Sequence, residues 1–361
     1  MAFEHIIGQN RVKLFFQNAF DSERISHAYL FIGERGVGKE AMALELAKAL
    51  LCSNHLHCHS ETCSDCSRIA KLNHPDLQFI FPAPAKIKEE EQQRVIASVA
   101  ENPYNRLEIW ANPSISIDRI RELRRNSSYT SFEGKGRVTI IVDCEKMTTE
   151  ASNALLKILE EPPEKMYLIM ISSKANLLLP TITSRCQVTK FDPLSVEEIE
   201  ASLIHRNAVE KSQARLTARL AAGSYRRAME LLNEDLHEIQ SKALEFFRKS
   251  IQNEFMQVLF VEELLHNFQR DLKKIKDLLK LLAIWYRDAM IYRDTKGKNE
   301  DLIINYDQKE VLKNFTHKFP NADLYSAIHE IEKSLELIDR NVQINLILIV
   351  LLNKLRAKVR R

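Results

Sequence analysis

Apolar positions in the first half of the chain follow two alternating rhythms. Short continuous runs, "HAYLFIG", "HPDLQFIF", "RVTIIVD" and "MYLIMISS", read as buried strands. Between them, "KEAMALELAKALLC", "DRIRELRRNS" and "EASNALLKILEE" place apolar residues at helical spacing among good helix formers. This alternation predicts an α/β domain with a mostly parallel sheet covered by helices. The segment from Pro82 to Pro113 interrupts the rhythm with "KIKEEEQQRVIASVAENPYNRLEIW". It reads as a charged, helical surface insertion, and no chemistry is assigned to it. At "FDPLSVEEIEASL" the character changes: Ser195 followed by Glu198 predicts a capping box that opens a helix. A small helical unit is expected over 191–235, with Gly223 separating two helices, and an almost wholly helical unit over 236–361. The latter's segments "LKKIKDLLKLLAIWYRDAMIY", "LYSAIHEIEKSLELI" and "VQINLILIVLLNKL" have broad apolar faces suited to a bundle or to partner subunits.

Composition narrows the classes. A chain of 361 residues exceeds what one core usually holds, which predicts two or three domains. A net charge of +3 does not by itself call for nucleic acid, and the basic tail "KLRAKVRR" reads as a solvated helix end. The run "LILIVLL" falls well short of the about 20 residues of a membrane span. The start "MAFEHIIGQNRVKLFF" has no apolar signal region, so a cytoplasmic location is expected.

The stretch "GERGVGKE" follows a predicted strand and opens a predicted helix. Gly33, Gly36, Gly38 and Lys39 fit a phosphate loop, in which glycine bends turn N–H groups toward phosphate and lysine supplies a charge at a helix N-terminus. Where a hydroxyl should meet magnesium, the sequence has Glu40, which brings negative charge toward the phosphates. After "VTIIVD", Asp143 is placed to coordinate magnesium, but Cys144 stands where a glutamate should polarise water. Glu145 comes one position later, facing the opposite side if the strand continues. The two defects argue against magnesium-assisted hydrolysis. They leave open whether ATP or ADP binds at all or whether the loop merely joins strand to helix. Arg185 in "TSRC", at the edge of the first domain, is either a surface arginine or a guanidinium directed at another subunit's nucleotide. Arg226 in "GSYRRA" begins a helix and can sense phosphate or serve domain packing.

Cys52, Cys58, Cys63 and Cys66 have the spacing C-x5-C-x4-C-x2-C, which points to a closed, structural zinc site in a module at about 52–66. His55, His57 and His59 are alternative ligands to Cys58. Cys144 and Cys186 read as packing residues.

Taken together, "IIGQNRVKLFFQNAF", "ISHAYLFIGERGVGK", the cysteines followed by "HPDL", "VTIIVDCEKMTTEASNALLKILEEPP", "TITSRCQ" and "GSYRRA" resemble the clamp-loader branch of the AAA+ proteins, in particular the delta-prime subunits of bacterial DNA polymerase III. The resemblance covers nearly the whole chain. It implies an AAA+ P-loop NTPase-like domain at 1–190, a helical lid at 191–235 and an all-α collar at 236–361. It further implies a ring with ATP-hydrolysing gamma or tau subunits and a delta subunit, acting on a sliding clamp and primer–template DNA through the assembly. In such a ring Arg185 acts in trans on a neighbour's ATP, Lys39 and Asp143 are remnants of nucleotide motifs, Arg226 is a lid sensor, and Ser172 or Ser173 lies near the first sensor. The alternatives are a gamma-like ATPase using Glu40 and Glu145, and a zinc-stabilised scaffold in another AAA+ assembly.

Overall fold

The computed structural model describes residues 3–52, 63–127, 131–234, 236–251, 254–296, 298, 302–305 and 308–360. These residues divide into two compact units, one of 1–207 with 221–229, the other of 208–220 with 230–361.

The first unit contains a five-stranded parallel sheet in the order β2-β3-β4-β1-β5. Its strands are β1 (Ala28–Ile32), β2 (Leu77–Ile80), β3 (Arg137–Ile141), β4 (Met166–Ser172) and β5 (Gln187–Lys190). Its helices are α1 (Asn10–Asp21), α2 (Lys39–Leu51), α3 (Ser64–Ala70), α4 (Glu89–Glu101), α5 (Ile117–Ser127), α6 (Thr149–Glu160), α7 (Pro180–Thr183) and α8 (Val196–Asn207). Side chains alternate across the strands, so β1 serves two cores at once. Ala28 and Leu30 join Ile120, Leu123, Leu155 and Ile158 of α5 and α6, whereas Tyr29 and Phe31 pack edge-on against Phe16 of α1. The four strands expected from the sequence are present; β5 was not foreseen. It is a short edge strand whose Gln187, Val188 and Lys190 are exposed, leaving no apolar run to detect. The capping box is formed as expected: the Ser195 N–H donates to Glu198 Oε2 at 2.8 Å, and the Glu198 N–H donates to Ser195 Oγ at 3.1 Å.

The second unit is helical, comprising α9 (Lys211–Leu220), most of the chain after the first turns of α10 (Tyr225–Leu232), α11 (Leu236–Ser250), α12 (Glu254–Asn267), α13 (Leu272–Thr295), α14 (Lys309–Lys318), α15 (Leu324–Asp339) and α16 (Ile344–Val359). Its core gathers Phe247, Trp285, Tyr286 and Phe315 in mostly edge-to-face contacts. Asp288 of α13 is fully buried, and its Oδ2 accepts the N–H groups of Ile304 and Asn305 and the Asn305 side-chain amide, which fixes the 302–305 segment. No helix among the described residues is long and apolar enough to cross a membrane.

Candidate functional site

The phosphate loop connects β1 to α2, the order that brings the loop amides and a helix N-terminus together. Gly36 (φ +77°) and Gly38 (φ +99°) occupy the left-handed region, and a Cβ on Gly36 would come 2.2 Å from Ser224 Oγ. Lys39 is the first residue of α2 and is buried. Its ammonium turns back on the loop, donating to the Gly33 carbonyl at 2.6 Å and to the Glu34 carbonyl. Burial brings its pKa down to about 8, although Glu40, Asp143 and Glu145 pull the other way.

The space in front of the loop is filled by the protein itself. Arg106, 5% exposed, lies between the two acidic groups, donating through Nη2 to Asp143 Oδ2 at 2.6 Å and through Nε to Glu40 Oε1 at 3.2 Å. Glu108 accepts from Arg35 at 3.0 Å and from Arg226 at 2.8 Å. Asp143 also has Lys146 at 3.5 Å and Arg35 at 3.8 Å. The cavity left here is about 30 Å³, an order of magnitude below the roughly 300–1,000 Å³ of small-molecule sites.

Charge and burial explain the titration of the cluster. Burial raises the Glu40 carboxyl, with Arg106 only partly opposing it, and Glu40 Oε2 is buried without a partner among the described residues. Asp143 is also penalised by burial, but Arg106, Arg35 and Lys146 outweigh that and hold it below the usual carboxylate range. For Arg106 the two carboxylates overcome burial and keep the guanidinium charged.

Gly33, Gly36, Gly38, Lys39, Asp143 and Arg226 therefore converge on one place, and three residues given no role by the sequence reading join them: Arg35, Arg106 and Glu108. The last two come from the 82–113 insertion, to which the sequence assigned no chemistry. A usable signal was present, since Glu40 and Asp143 face a loop that already holds one buried lysine and require a further cation. The condition under which Glu145 would face away, a strand continuing past Asp143, does not hold. β3 ends at Ile141, residues 144–146 form a 3₁₀ turn, and Glu145 Oε1 accepts from Ser173 Oγ at 2.8 Å. Ser173 lines the cavity, whereas Ser172 is fully buried and its Oγ accepts the Lys174 N–H. Cys144 is buried in the core beside α6, and burial pushes its thiol well up; Cys186 packs against the same core, its thiol pushed up to about 12.

Arg185 follows α7, just before β5, and does not line the loop cavity. Its side chain is 37% exposed, pairs with Glu160 at 2.9 Å and donates to the Thr181 carbonyl at 3.0 Å.

Cys52, Cys63 and Cys66 bring their sulfurs within 4.8 Å of one another, with Cys52 and Cys63 3.6 Å apart. Two ligands on a tetrahedral zinc with bonds of about 2.3 Å are separated by about 3.8 Å, so the three thiols fit such an ion. Cys58, His55, His57 and His59 lie outside the described residues.

The profile of the family described as "DNA polymerase III, delta subunit" matches residues 8–195, and that of "DNA polymerase III, delta subunit, C terminal" matches residues 225–356. The chain is 30% identical to the DNA polymerase III subunit delta' of Bacillus subtilis, over 84% of this chain and 83% of the relative. It is 25% identical to the subunit tau of Bacillus subtilis, over 92% of this chain and 57% of that one, and 31% identical to the subunit tau of Escherichia coli, over 64% and 32%. The chain thus spans just over half and about a third of these two longer relatives.

Proposed function

Because the chain belongs to the delta-prime family of bacterial DNA polymerase III, an AAA+ clamp-loader family, we propose that it is a non-hydrolysing subunit of a clamp loader that supplies Arg185 to the ATP site of an adjacent gamma or tau subunit. The observation that carries this reading is the occupancy of its own phosphate loop by Arg106, whose guanidinium bridges Glu40 and Asp143, the two acidic groups at which magnesium would be held. Lys39 likewise donates to the carbonyls of its own loop. Glu145, the remaining candidate base, is engaged by Ser173.

Arg185 has the opposite character. Its pair with Glu160 is exposed on both sides, and pairs of this kind are worth only about 0–1 kcal/mol. Exchange of the Glu160 carboxylate for a neighbour's γ-phosphate therefore costs little. A planar guanidinium so placed stabilises the charge that develops on the equatorial oxygens during phosphoryl transfer. Gamma, tau and delta subunits, a sliding clamp and primer–template DNA are the partners in this reading. Zinc, held by Cys52, Cys63, Cys66 and a fourth ligand such as Cys58, has a structural role: it cross-links the end of α2 to the start of α3.

The test is a ring reconstituted with gamma or tau and delta subunits and carrying Arg185→Ala. Clamp-stimulated ATP turnover at the neighbouring site is expected to fall by roughly 10³, the lower end of the arginine-finger range. Unchanged turnover and unchanged clamp loading would defeat the assignment.

A further inference from the structure

The insertion that fills the loop does so with an ordered set of groups. Tyr104 is buried, and one edge of its ring lies 3.0 Å from where a Cβ on Gly38 would sit. Its hydroxyl accepts the Ile7 N–H at 2.8 Å, and its ring meets Tyr225 edge-on at 5.2 Å. It is a flat apolar disc with an acceptor at one edge, gripped by a backbone donor, which is what a nucleobase offers a protein. Glu108 presents anionic oxygens to the guanidiniums of Arg35 and Arg226, as a phosphate does. Arg106 is a cation held between two carboxylates, as a divalent ion is.

These three residues are alternate positions of one short stretch, and the intervening Leu107 is exposed. The stretch is anchored from behind: Asn102 Oδ1 accepts the Tyr104 N–H at 3.0 Å, and Ser98 Oγ accepts the Leu107 N–H at 2.9 Å. On the other side it meets the 221–229 segment, which reaches the loop through the Tyr225 N–H donating to the Gly36 carbonyl at 3.0 Å. Aromatic ring, anion and cation thus join loop and segment through the same stretch of chain.

We propose that residues 103–108 are an internal ligand of the phosphate-loop site, standing in for a magnesium nucleotide and holding the 221–229 segment on the loop whatever nucleotide is present. This rests on the reading of the chain as a non-hydrolysing subunit and adds what replaces the nucleotide there.

The experiment is hydrogen exchange on the full chain, with and without millimolar MgATP or MgADP. In the wild type, exchange over 33–40 and 221–229 should be unaffected by either nucleotide. In Glu108→Gln, both segments should exchange roughly tenfold faster or more, as follows from weakening charge-assisted hydrogen bonds, while strand β4 stays protected. Should β4 also lose protection, Tyr104→Leu, which removes the ring set against Gly38 and Tyr225, replaces that variant and should loosen the same two segments. Nucleotide-dependent protection in the wild type, or wild-type exchange rates over 221–229 in a folded variant, overturns the proposal. None of these readouts involves Arg185, so its failure and the failure of the in-trans assignment are separable.

Discussion

Replacing Arg106 with methionine keeps most of the side chain's volume and removes the charge that Glu40 and Asp143 share. Breaking a buried ion pair by removing one partner costs about 3–5 kcal/mol. The geometry sets the value within that range: Asp143 retains Lys146 and Arg35 at 3.5 and 3.8 Å, so the larger share falls on Glu40. Burial already raises the Glu40 carboxyl, and in the variant nothing comparable opposes that. The folded variant therefore keeps the Glu40 proton to higher pH than the unfolded chain does, and its stability falls as pH rises above the unfolded value of 4.5. The expected loss is about 3–4 kcal/mol at pH 7.5 and becomes smaller toward pH 5, where protonation of Glu40 replaces the lost pairing. The measurement is urea unfolding followed by Trp110, which stacks on Phe81 in the first unit, in a Trp285→Phe background that silences the chain's other tryptophan. For a slope of about 2 kcal/mol per molar urea, the midpoint should drop by about 1.5–2 M at pH 7.5. Adding Glu40→Gln should restore part of it. A shift under about 0.5 M, or one independent of pH, would refute the claim that Arg106 is the counter-ion of a buried acidic pair.

Lys39 gives a signal of opposite pH dependence. Between about pH 8 and 10.5 the folded chain has released its proton and the unfolded chain has not, so wild-type stability relative to Lys39→Met should rise across that window, by up to about 3 kcal/mol; a flat difference in urea midpoint would contradict its burial. Purified protein should carry about one zinc per chain by metal analysis, and Cys66→Ser should reduce that content and lower the melting temperature, as chelation should in the wild type. Asp288→Ala leaves three buried N–H groups without their acceptor and should destabilise the helical unit by roughly 2–4 kcal/mol, read by Trp285 fluorescence during unfolding.

Much of the fold was legible because it rests on local regularities. Runs such as "MYLIMISS" are apolar on both faces only when both faces are covered, and the Ser195–Glu198 box is complete within four residues. What escaped was short or remote. β5 is four residues with one buried side chain, and the direction of Glu145 stayed open because nothing in "VDCEKM" marks where the strand ends and the 3₁₀ turn begins.

The phosphate loop, its missing hydroxyl and the clustered cysteines were determined by the sequence alone, since each consists of residue types at short, fixed separations. The state of the loop was decided only by the tertiary structure. Arg106 is 66 residues from Glu40 and 37 from Asp143, and a pairing across such separations exists only once β1 and β3 lie in one sheet and the insertion folds back over their ends. Local chemistry could reveal an acidic pair in need of a cation, but not which cation the chain would bring.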